Sequence, residues 1–143
     1  MEKLEMIGFV PNESAGTKIP LFTMSVSAGT PVPVDSSIEK EADLNELLIK
    51  HPAATFFVRI SGIDLDKAGI RDGDILIVDS EIQPHNGRLV ICSLNDELTL
   101  KTFREIEGEV YLESPSGHFL PVDAEELYDM KIMGTVISVI HSL

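Results

Sequence analysis

The sequence predicts a mainly β fold with one short helix and an extended N-terminal arm. Beyond residue 53, runs rich in β-branched and aromatic residues follow one another. Short turn-type clusters separate them: DGD, HNG, LND, EGE and SPSG. Residues 11–42, by contrast, gather Pro11, Pro20, Pro31, Pro33, Gly16 and Gly29 among many Ser, Thr and acidic residues.

The elements follow in order. Residues 1–42 read as a flexible arm, interrupted by a short strand at KIPLFTMSV. DLNELLIKHP has Asp43 as helix N-cap, Leu44, Leu47 and Leu48 on one face, and Pro52 just past the end, which predicts a short amphipathic helix. Residues 43–143 then form a β-rich domain. Its strands are ATFFVRI (54–60), DILIVD (74–79), RLVICSL (88–94), ELTLKTF (97–103), EVYLES (109–114) and MGTVISVI (133–140), mostly antiparallel. Asn95 and Asp96 form a turn short enough for a hairpin. Alternation in ELTLKTF puts Glu97, Thr99 and Lys101 on one face and Leu98, Leu100 and Thr102 on the other. On that spacing alone, Lys101 reads as an exposed lysine on a half-wet sheet.

Charge narrows the function. With 11 Lys and Arg against 24 Asp and Glu, the net charge is −13. Phosphate contacts need a local excess of cations, so strong direct nucleic-acid binding is not expected and any DNA connection runs through a partner. The single cysteine, Cys92, sits in the apolar run RLVIC and packs as a small hydrophobe. No apolar leader and no membrane-length stretch is present, so a cytoplasmic location is expected. His51, His85, His118 and His141 lack ligand-like spacing with acidic or cysteine neighbours, and no metal or cofactor is expected. Asp72, Asp74 and Asp79 in RDGDILIVD read as turn and strand-end residues, and IEKEADLNE as a solvated helix entry.

Several segments together go beyond fold class. DLNELLIKHPAATFFVRISG, AGIRDGDILIVDS, GRLVICSLNDELTLKTF and the closing GTVISVIHSL, in that order, resemble the LexA/UmuD-like S24 self-cleaving peptidases over roughly residues 18–143. The absence of an N-terminal helix-turn-helix resembles the UmuD branch. The resemblance implies the family's peptidase-domain β fold, a homodimer, and service to a UmuC-like error-prone polymerase in the SOS response. It also implies a reaction in which a RecA filament on single-stranded DNA promotes cleavage of the arm by a Ser-Lys dyad.

Carried over residue by residue, SVSAGTP supplies Ala28 and Gly29 as the scissile pair, and Lys101 falls on the family's general base. A serine hydroxyl needs a base, and lysine serves only when its surroundings favour the neutral amine. The family's serine lies in a segment like SGDSM, ahead of a turn that supplies oxyanion donors. Here the ungapped match reads SGIDL, so Asp64 stands at the serine position, with Asp66 and Lys67 also divergent. A carboxylate about 4 Å from Lys101 would favour the ammonium by about 4 kcal/mol at an effective dielectric near 20. Asp64 thus removes the nucleophile and disables the base.

Three readings follow: an accessory protein that does not cut itself, a self-cleaving peptidase using Lys101 with Ser61 or another rearranged hydroxyl, and a substrate cut in trans by an active relative. Ser61 otherwise reads as turn capping and Thr99 as sheet packing.

Overall fold

A computed structural model describes residues 3–9, 18–23, 37–62, 65, 68–114, 119–121 and 130–143. Chain contacts divide it into a unit of residues 12–50 and a unit of residues 1–11 with 51–143.

In the smaller unit, β2 (Lys18–Thr23) and β3 (Ser37–Asp43) pair antiparallel, from Lys18 opposite Asp43 to Thr23 opposite Ser37. Helix α1 (Leu44–Leu48) follows directly. Asp43 caps it as expected, Oδ1 accepting the Asn45 N–H at 2.9 Å. The amphipathic expectation fails: no residue of the helix is buried, and Leu44 and Leu47 are exposed. One turn and a half is too short to present a stripe to a core.

The larger unit holds one antiparallel sheet. Its strands are β1 (Lys3–Phe9), β4 (Thr55–Ser61), β5 (Ile75–Asp79), β6 (Leu89–Leu94), β7 (Glu97–Ile106), β8 (Glu109–Glu113), β9 (Phe119–Pro121) and β10 (Met130–Ile140). The spatial order is β1-β4-β5-β10-β6-β7-β8-β9. The strands expected from 54 onward all form. β1, β3 and β9 are additional, and β3 converts the expected solvated segment IEKEAD into a paired strand. The hairpin at Asn95 and Asp96 has φ of 50° and 64°, the left-handed pair that a two-residue turn needs to match strand twist.

Both faces of the central strands are covered. One cluster joins Phe56, Val58, Ile60, Ile70, Leu76, Val78, Ile91, Leu100 and Val136, while Val90, Cys92, Phe103 and Leu112 form a second. In β6 the two sets alternate, Ile91 against Val90 and Cys92, as a pleated strand requires. The face of β7 that carries Lys101 is therefore not simply wet.

Strand β10 locks the sheet by pairing with β5 on one side and β6 on the other, with a register shift on each. Gly134 sits inside this double pairing, where a Cβ would lie 2.8 Å from Val78 Cγ1 and 3.0 Å from the Asp79 carbonyl oxygen. Close backbone approach, not unusual φ, demands glycine here. Among the described residues no helix is long and apolar enough to cross a membrane.

Candidate functional site

The sheet register builds the site. Thr55 pairs with Asp79, Asp79 with Thr135, Thr135 with Val90 and Val90 with Lys101, so one row crosses β4, β5, β10, β6 and β7. Its first four members are essentially inaccessible: Thr55 1%, Asp79 0%, Thr135 0% and Val90 0%. The polar ones are satisfied. Thr55 Oγ1 donates to the His51 carbonyl at 2.6 Å, and Thr135 Oγ1 to the Ile82 carbonyl at 2.9 Å. Lys101 ends this row, half-buried, where the strands open into a groove.

The groove has a volume of about 950 Å³. Leu89, Leu100, Val136 and Val139 supply apolar lining, and Arg88, Lys101 and Arg104 supply cations, with Glu113 as a carboxylate. Arg104 Nε donates to Glu113 Oε2 at 3.0 Å. Lys101 forms no ion pair among the described residues. Its charge is felt by Cys92: burial pushes the thiol up to about 12, and the nearby ammonium opposes that rise.

The loop between β4 and β5 contributes the remaining wall. Backbone bonds close its base, Ile60 N–H to the Asp74 carbonyl at 2.9 Å and Gly73 N–H to the Ile60 carbonyl at 2.8 Å. Asp72 Oδ1 accepts the Gly62 N–H at 2.7 Å. Further on, Leu65 and Ile70 exchange backbone bonds of 2.8 and 3.1 Å, with Ile70 fully buried. This fastened loop presents Leu65 and Ala68 to the groove that Lys101 lines.

Asp64, Ala28 and Gly29 lie outside the described residues, as do Asp66, Lys67 and His118. Ser61 ends β4, paired with Lys3 of β1, and is not among the groove-lining residues; Thr99, opposite Cys92, is not either. The structure therefore places Lys101 and Leu65, the sequence neighbour of Asp64, along one groove.

Two histidine–carboxylate pairs escaped sequence reasoning. His51 Nδ1 lies 2.6 Å from Asp79 Oδ2, and His141 Nδ1 lies 2.6 Å from Asp74 Oδ1. The hydrogen bond to Asp79, aided by the Asp79 and Glu81 charges, raises the His51 pKa above its ordinary 6.5 despite opposing desolvation. Burial alone would raise Asp74. The Arg71 N–H bond, the His141 bond and the two positive charges outweigh it and hold Asp74 below 3.8. Partners 28 and 67 positions apart leave no local signal. Among the described residues no group of three or more His, Cys, Asp or Glu side chains is placed to hold a metal.

Comparison with known proteins follows the same lines. Residues 20–137 match the family described as Peptidase S24-like. The chain is 44% identical to Protein ImpA of Escherichia coli over 82 residues, which is 57% of each chain. It is 35% identical to Protein SamA of Salmonella typhimurium over 129 residues, 90% of this chain and 89% of the relative. It is 30% identical to the LexA repressor of Ectopseudomonas mendocina over 149 residues, 94% of this chain and 72% of the relative. The match to ImpA thus spans little more than half of that relative's length.

Proposed function

The chain belongs to the Peptidase S24-like family, and from that membership we propose a UmuD-like accessory protein of the SOS response and DNA repair. It acts in the cytoplasm as a homodimer, serves an error-prone translesion polymerase, and meets a RecA filament without cutting its own arm. The observation that carries this reading is the pairing of SGIDL in sequence with a groove walled by Lys101, Leu65 and Ala68. Leu65, next to Asp64 in sequence, lines the same groove as Lys101, which supports the expectation of a carboxylate at the family's nucleophile position. There a carboxylate cannot attack an amide usefully and holds lysine as the ammonium, which has no lone pair for general-base work.

The location of Ser61 at the end of β4, outside the groove lining, favours this reading over self-cleavage through Ser61. A second reading, cleavage in trans by an active relative, draws on the Ala28–Gly29 pair in SVSAGTP, since a substrate needs only its scissile segment.

Intact mass after incubation with RecA, nucleotide and single-stranded DNA, and separately at alkaline pH, tests the proposal. The unsubstituted chain stays whole, and Asp64→Ser yields a product beginning at Gly29. A Gly29 product from the unsubstituted chain overturns the non-cleaving reading. Failure of Asp64→Ser to cleave while it still binds the filament overturns Asp64 as the sufficient cause.

A further inference from the structure

Strand β5 is fastened to a histidine at each end. Asp74 and Asp79 are buried, at 2% and 0%, and both imidazoles reach solvent. An ionised carboxylate only accepts, so in the neutral ring the proton sits on Nδ1 and Nε2 keeps its lone pair. The two pairs differ at that second nitrogen. Glu81 Oε2 lies 3.5 Å from His51 Nε2, whereas among the described residues no second carboxylate pairs with His141.

A separation of 3.5 Å is long for a direct N–H···O bond. It lies within ion-pair range and also close to the separation of two ligands on one ion: bonds of about 2.0–2.1 Å at a near-tetrahedral angle place nitrogen and oxygen about 3.3–3.4 Å apart. Asp79 orients the imidazole and accepts from the Glu81 backbone. Its Oδ2 holds the His51 ring at 2.6 Å, and its Oδ1 accepts the Glu81 backbone N–H at 2.8 Å. A buried carboxylate behind an imidazole is the arrangement that fixes tautomer and direction in metal-binding histidines.

We propose that His51 Nε2 and the Glu81 carboxylate form a solvent-open site for a zinc-type divalent cation, with the imidazole oriented by Asp79 and the ligand shell completed by water. With two protein ligands the site is weaker than a four-ligand structural zinc centre. A bound ion ties the segment entering β4 to the segment leaving β5. Imidazole and carboxylate together favour zinc over magnesium or calcium, which take oxygen ligands.

Titration calorimetry of zinc chloride into the metal-stripped full chain provides the test. One zinc per chain is expected, reversed by chelator and not displaced by excess magnesium. His51→Gln and Glu81→Gln each weaken binding by about tenfold or more, while His85→Gln and His141→Gln change it less than about twofold. Glu81 is exposed, so Glu81→Gln keeps the test readable even where a change at His51 disturbs folding. Imidazole 15N spectra of the unsubstituted chain supply a second readout, in which zinc shifts the His51 Nε2 resonance and not those of His141. Absence of zinc binding, unchanged binding by Glu81→Gln, or a loss that tracks His85 or His141 overturns the proposal.

Discussion

Replacing Gly134 by alanine places a methyl carbon 2.8 Å from Val78 Cγ1 and 3.0 and 3.1 Å from the Asp79 carbonyl oxygen and carbon. Ordinary contact begins near 3.4 Å, so about 0.6 Å must be found at Val78 and about 0.4 Å at the carbonyl oxygen. Val78 can turn its side chain, but the carbonyl belongs to a strand paired in register with β10, Thr135 opposite Asp79. Overpacking of this kind costs about 1–3 kcal/mol, and a weakened ladder bond adds about 1. Reduced unfolded-state entropy returns about 0.4–1. The balance is a loss of about 2 kcal/mol, or about 4–8 °C in Tm for a chain of this size.

Urea melts followed by far-UV circular dichroism measure it, since the chain has no tryptophan. Val78→Ala removes the nearest clashing atom, so its cost is smaller in the Gly134→Ala background than in the unsubstituted chain, with a coupling of at least about 0.5 kcal/mol. Gly73→Ala is the contrast: φ is +88° with nothing within 4 Å, so its cost is conformational, about 1–2 kcal/mol, and independent of Val78. Stability of Gly134→Ala within about 0.5 kcal/mol of the unsubstituted chain, or strict additivity with Val78→Ala, would refute the steric argument.

The other predictions concern charge and turns. A raised His51 pKa contributes stability in full below the unfolded value of 6.5 and loses it as pH rises through the folded value. In chelator-treated buffer, His51→Gln therefore costs more stability at pH 6 than at pH 9; an equal cost at both removes the Asp79 pairing as its source. The lowered Asp74 pKa works oppositely, with stability present above 3.8 and lost as pH falls through the folded value, so Asp74→Asn is destabilising at pH 7 and less so in acid. Cys92, raised to about 12 and inaccessible, should resist alkylation in the folded chain and react at the rate of unfolding; rapid labelling under native conditions would contradict its burial. Glu107, at φ 52° before Gly108, is a poor fit to a left-handed position, and Glu107→Asn should gain about 0.5–1 kcal/mol in the same melts.

Sequence alone determined what is set by neighbours in the chain. β-Branched alternation marks β4 through β8 and β10, Asn95–Asp96 carries its own left-handed turn preference, and Asp43 caps the helix two residues ahead of the amide it accepts. The ordered segments around SGIDL were sufficient for the family, because peptide spacing and residue type survive without coordinates.

Tertiary structure decided what depends on distant partners. Acidic SIEKEAD has little intrinsic strand preference and becomes β3 because β2 is there to pair with it. Lys101 looks solvated from alternation alone. It borders a groove whose lining also includes Val136 and Val139 of β10, the last strand of the chain, which the sheet order places between β5 and β6. The His51–Asp79 and His141–Asp74 pairs arise the same way. Local periodicity reports which way a side chain leaves its strand, and only the sheet order fixes what it meets.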